Sequence, residues 1–210
     1  MSLPELYQHD QFVARRKVFQ VFGATFHLYA LDGQMLACSK QKAFRLKEDI
    51  RVFADENLED ELLQIKADRM IDFSASYSVI DSQSGEHYGT LRRKGWSSLF
   101  RDRWEILDAD GIVRGGILEE SGWKAFFRRF GGALVALLMP QRFLLQVEGE
   151  TVATMQQHMG FFVHKFQVDL THDESGLLPR PLAVAAVVLL LAIEGRQSAS
   201  GGGIAGLLGG

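Results

Sequence analysis

A chain of 210 residues with 47% apolar and 23% charged content has the make-up of an ordinary globular protein, long enough for one large domain or two small ones. Fifteen Phe against four Pro argue for a packed core and against disorder. A net charge of −3 excludes a global attraction to nucleic acid, and a single Cys excludes an intrachain disulfide framework.

The first ten residues hold no basic segment followed by an apolar one, so no secretory signal is expected, and Ser2 in place of Gly speaks against N-myristoylation. A cytoplasmic protein is expected, with Cys38 a small buried hydrophobe. Most of the remaining chain reads as short strands joined by tight turns. Asp32-Gly33 separates Phe26–Leu31 from Gln34–Cys38, and Asp110-Gly111 separates Trp104–Leu107 from Ile112–Arg114. Asp-Gly between apolar runs is a hairpin signal, because the turn needs positive φ. Two more hairpins are expected: Tyr77–Ile80 with His87–Leu91 around Ser82–Gly85, and Phe143–Val147 with Thr151–Met155 around Gly149. Phe166, Val168 and Leu170 alternate with Lys165, Gln167 and Asp169, the pattern of a half-buried strand.

Two segments break the strand pattern. In Gly122–Phe130 the residues Trp123, Phe126, Phe127 and Phe130 fall at helical spacing, with Lys124, Arg128 and Arg129 elsewhere on the turn. Near the C-terminus Leu182–Ile193 is uninterrupted and apolar. As a helix it spans only about 18 Å, against a hydrocarbon core of about 30 Å. Arg180 on one side and Glu194 and Arg196 on the other prevent its extension. The run is therefore expected to be a core element, with helix preferred for its Ala and Leu content. A helix apolar on every face must be buried all round. Roughly a dozen antiparallel strands would wrap it as a barrel, which also removes sheet edges. The reading is one domain over 1–197, with the core helix at about 179–195 and a flexible Gly-rich tail over 198–210.

Phe44-Arg-Leu-Lys-Glu-Asp-Ile-Arg51, Ile71-Asp-Phe-Ser-Ala-Ser-Tyr77, and Gly89-Thr-Leu-Arg-Arg-Lys94 with Arg101, Asp102 and Trp104 beyond resemble bacterial LURP-one-related proteins. These group with phospholipid scramblases and tubby C-terminal domains. The resemblance runs over about residues 10–197. It implies a mainly β fold: a closed antiparallel barrel of twelve strands around a central hydrophobic C-terminal helix. It further implies a protein that binds anionic phospholipid or phosphoinositide headgroups at a membrane periphery. A soluble protein-interaction module is the other expectation.

Chemistry-bearing motifs are few. The six His lack HExxH spacing, and one Cys cannot build a structural zinc site, so no metal is expected. There is no Gly-x-Ser-x-Gly elbow and no P-loop Lys-Ser/Thr in the C-terminal Gly repeats, so neither catalysis nor a cofactor is expected. Asp169–Glu174 does not match the alternating oxygen ligands of a calcium loop. What remains is basic and aromatic. Lys40, Lys42, Arg45 and Lys47 make one cluster. Arg92, Arg93 and Lys94 near Trp96 make another. Trp123, Lys124, Phe127, Arg128 and Arg129 make the third. Aromatics beside cations suit an anionic lipid interface, so the second and third clusters are the candidate headgroup-binding residues. Nucleic acid is not an expected partner.

Overall fold

The computed structural model describes residues 3–17, 24–41, 49–68, 75–94, 103–120, 142–159 and 163–201. Twelve strands form one closed antiparallel barrel: β1 (Gln11–Lys17), β2 (Ala24–Tyr29), β3 (Met35–Gln41), β4 (Asp49–Phe53), β5 (Glu61–Ala67), β6 (Ala75–Asp81), β7 (His87–Lys94), β8 (Arg103–Leu107), β9 (Val113–Glu119), β10 (Arg142–Val147), β11 (Glu150–Met159) and β12 (Val163–Asp169). Each strand pairs with its sequence neighbour, and β12 closes the sheet on β1 with Gln11 opposite Asp169 and Ala14 opposite Phe166. All four expected hairpins form. Gly33, Gly85, Gly111 and Gly149 take positive φ in their turns.

Antiparallel order gives the barrel two unlike ends. The turns β2–β3, β4–β5, β6–β7, β8–β9 and β10–β11, together with the β12-to-helix segment, gather at one, the turn end. Register shifts mark every hairpin there, at Leu28/Tyr29, Val52/Phe53, Val79/Ile80, Ile106/Leu107 and Leu145/Gln146. A bulge bends its strand and tightens the local twist, so five of them on one side help the sheet to curl shut.

Eight strands close on a lumen that side chains alone can fill; twelve leave room for more. Helix α1 (Arg180–Gly201) occupies that space. Every residue from Leu182 to Ala192 is at most 2% exposed. Phe12, Phe26, Phe166, Ile65, Leu91 and Met155 project inward from the strands into the same core. The helix starts at Pro179, whose carbonyl accepts Leu182 N–H at 2.9 Å and Ala183 N–H at 3.1 Å. Pro181 sits in the first turn, where a missing N–H costs nothing. At the other end α1 runs to Gly201, past the expected 195, so 198–201 are helical rather than tail. Once nucleated, a helix adds one hydrogen bond per residue and need not stop where its apolar run stops. Among the described residues no helix is long and apolar enough to cross a membrane.

Two glycines let backbones approach where a side chain would collide. A Cβ on Gly89, at φ +145°, would lie 2.4 Å from the Leu107 carbonyl oxygen and 3.2 Å from Leu182 Cδ2. On Gly115 it would lie 1.9 Å from the Gln146 carbonyl oxygen.

Candidate functional site

Strand alternation divides the Arg92–Lys94 cluster. Arg92 lies opposite Glu105 on the outer face, while Arg93 follows Leu91 on the inner face, opposite Ala75 and Trp104. Arg92 donates to Glu105 Oε2 from Nε at 2.9 Å and from Nη2 at 2.5 Å. Lys94 pairs with the other oxygen, Oε1. Burial pushes the Glu105 carboxyl up, but hydrogen bonds from Lys94 and Arg92 outweigh it and hold the group below the usual carboxylate range. Two of the three cations of this cluster are thus already committed to one carboxylate. The third points into the barrel. Trp123, Lys124, Phe127, Arg128 and Arg129 lie outside the described residues, as do Lys42, Arg45 and Lys47 of the first cluster.

A different basic row emerges from the register. His158 is opposite Lys165, Lys165 is opposite Arg15, and Arg15 is opposite His27. All four face outward, one on each of the adjacent strands β11, β12, β1 and β2, so the row crosses about 14 Å at the usual strand spacing. His158 and Lys165 are exposed, Arg15 half-buried. The Arg15 guanidinium lies 4.6 Å from the Tyr29 ring centroid, which steers it by cation–π attraction. Among the described residues no carboxylate pairs with Arg15, Lys165 or His158. Only His27 has one, Glu56 at 3.3 Å. Arg16, one residue on, turns inward: its Nη1 donates to the Leu191 carbonyl at 3.0 Å and holds the helix to the wall.

The turn end is the electrostatic opposite. Its segments 3–10, 30–34, 54–60, 82–86, 108–112, 148–149 and 170–179 carry thirteen Asp and Glu and no Lys or Arg. The chain as a whole carries −3, so everything else carries +10. Part of this acidity is local turn chemistry, in which a side-chain carboxylate takes backbone N–H groups. Asp32 accepts from Gln34 N, Asp108 from Asp110 and Ile112 N, and Asp173 from Leu177 and Leu178 N. The N–H groups of Asp60 and Glu59 lower the Asp55 carboxyl, and Arg114 lowers Asp108. The remaining stretches between strands in the sequence are 18–23, 42–48, 68–74, 95–102, 120–141 and 160–162, nearly all of them outside the described residues. In sequence they hold eight Lys and Arg, five Asp and Glu, and twelve of the chain's aromatic residues; the turn-end segments hold one, Tyr7.

Residues 35–129 match the family described as LURP-one-related. The match covers 95 of the 210 residues. That family belongs to the tubby-like superfamily. No curated protein and no solved structure matches the chain. The matched segment takes in β3 to β9; β1, β2, β10 to β12 and α1 lie outside it, and the sheet closes through those five strands. The row His158–Lys165–Arg15–His27 likewise draws only on strands outside the match. Among the described residues no group of three or more His, Cys, Asp or Glu is placed to hold a metal ion. Cys38 is buried, and its thiol lies 3.1 Å from the Asp55 carbonyl, to which it donates.

The sequence reasoning missed Arg15 and Lys165. Arg15 reads as part of an Arg-Arg-Lys run, and Lys165 as one wet position of an alternating strand. Strand parity, under which Arg15 and Arg16 must face opposite ways, was the one available signal.

Proposed function

We propose that this LURP-one-related protein is a non-enzymatic peripheral binder of anionic phospholipid or phosphoinositide headgroups, working at a cytoplasmic membrane surface. The observation that carries the reading is the outward row of Arg15, Lys165, His158 and His27, in which Arg15 and Lys165 supply two adjacent cations and, among the described residues, one carboxylate, Glu56, lies along it. Each Lys or Arg near an anionic surface contributes about 1 kcal/mol, falling off within a Debye length. In sequence, Trp123, Lys124, Phe127, Arg128 and Arg129 combine aromatics with cations, a composition that suits the same interface. Arg92 and Lys94 contribute less in this reading, because Glu105 already neutralises part of their charge. The acidic turn end would face away from the lipid.

Liposome co-sedimentation tests the proposal. The protein should pellet with vesicles containing phosphatidylserine or a phosphoinositide, and stay in the supernatant with pure phosphatidylcholine. Arg15→Gln with Lys165→Gln should abolish pelleting without setting like charges opposite each other across the strands, and a melting temperature close to the parent's checks that the half-buried Arg15 position still packs. Equal pelleting with neutral vesicles, or none with anionic ones, refutes it.

A further inference from the structure

At the turn end an open groove of about 490 Å³ is lined by His9, Asp10, Gln11, Ala30, Leu31, Asp32 and Thr171. We infer that this groove docks a Lys- or Arg-bearing segment of a partner protein that also presents one apolar side chain. The inference is separate from lipid binding, which concerns other strands. Charge complementarity chooses the occupant. The turn segments carry no Lys or Arg; Arg114 reaches Asp108 and Glu148 from β9, and in the groove Arg180 reaches Asp10, its Nη2 2.6 Å from Oδ1, while among the described residues no cation pairs with Asp32. The carboxylates there are half used: Asp32 Oδ1 accepts Gln34 N–H, and Asp10 Oδ1 accepts Arg180. Each leaves a second oxygen for an incoming ammonium or guanidinium.

The apolar component is Leu31, which is 57% exposed at the tip of a tight turn, where turn geometry asks for nothing apolar. Leu3, 68% exposed, belongs to the same corner, because Gln34 Nε2 donates to Glu5 Oε1 at 2.9 Å and ties the β2–β3 turn to the N-terminal segment. The corner is also firm. Leu6 and Tyr7 of the 3-10 turn Glu5–Gln8 are buried in the core, and Leu170 N–H donates to the Asp10 carbonyl at 2.7 Å. A partner would meet a preorganised surface, which lowers the ordering cost of binding.

Fluorescence anisotropy of the full chain with a labelled Lys-Lys-Leu-Lys-Lys peptide and its Lys-Lys-Ser-Lys-Lys counterpart tests this at low salt. The Leu peptide should bind about tenfold tighter, the scale of burying one leucine at an open site. Leu31→Ser should erase that preference. Asp32→Asn should weaken both peptides, and Asp110→Asn, on the rim but outside the groove, should change neither. All three variants replace exposed residues, and an unchanged melting temperature checks their folding. Three outcomes overturn the inference: no binding, equal binding of the two peptides, or equal loss from Asp110→Asn and Asp32→Asn.

Discussion

Val188→Asp places a carboxyl at the least exposed stretch of α1, where Val188 is 0% exposed and its neighbours Val187 and Leu189 are 1%. Removing the valine forfeits about 2 kcal/mol of apolar burial. The new carboxyl has no partner on an all-apolar helix. It stays neutral at pH 7 only if its pKa rises by about three, which costs about 4 kcal/mol. Together this is about 6 kcal/mol, against a typical domain stability of 5–15 kcal/mol. The variant should be largely unfolded at pH 7 in circular dichroism melts. Val188→Ala should remain folded and lose about 2 kcal/mol. Val188→Asn separates charge from polarity, since it cannot ionise. Because the folded-state pKa of the Asp is raised, its ionisation penalty is present above the unfolded value near 4 and vanishes below it. The gap between the Asp and Asn variants should therefore close as pH falls. Should Val188→Asp melt like the parent protein and only shift between membrane and soluble fractions, a helix buried inside a barrel is the wrong account of this segment.

The acid limb of stability should start at the turn end. Asp55, Asp81, Asp108 and Asp169 are held below the ordinary carboxylate range, so the stability they contribute is complete above the unfolded value of about 4 and is lost as pH falls through their lowered values. Hydrogen exchange at low pH should report the β8–β9 turn opening early, and Asp108→Asn should flatten the limb. Gly115→Ala puts a methyl 1.9 Å from the Gln146 carbonyl oxygen, so urea unfolding should report a loss of about 2 kcal/mol or more. Glu105→Ala releases Arg92 and Lys94. It should cost under about 1 kcal/mol of stability, since Lys94 is largely exposed, and should raise pelleting with anionic vesicles severalfold in a salt-sensitive way. Unchanged pelleting would mean that β7 faces away from the lipid. Tyr88, pushed up to about 12 by burial and its hydrogen bond to Asp81, should ionise later than an exposed tyrosine in an ultraviolet pH titration.

Elements differ in how far local sequence reveals them. The hairpins at Asp32-Gly33 and Asp110-Gly111 are legible because positive φ is a demand on one residue and glycine meets it. β12 is legible because one face is wet. β1 and β5 are harder. β1 ends in Arg15-Arg16-Lys17 and reads as a basic patch, because nothing local says that Arg16 can face inward; the Leu191 carbonyl, 175 residues away, accepts from it there, and the Phe26 ring lies 5.7 Å from its guanidinium. In β5, Leu62 and Leu63 are both buried although they are adjacent, which spoils the alternation a strand would display. Strand alternation divides the Arg92–Lys94 cluster for a related reason: adjacency in sequence is opposition in a strand.

Sequence alone determined the hairpin-rich β architecture and the role of Leu182–Ile193, since turn geometry and burial of an all-apolar helix are demands that a segment carries with it. Tertiary structure alone decided which charges act together. Lys165, Arg15 and His27 share a row because β12 closes on β1 in one register, and the thirteen acidic residues of the turn end share a rim because antiparallel order brings seven separate segments there. Electrostatics depends on distance in space, and for these residues distance is set by cross-strand pairing between positions that lie far apart along the chain.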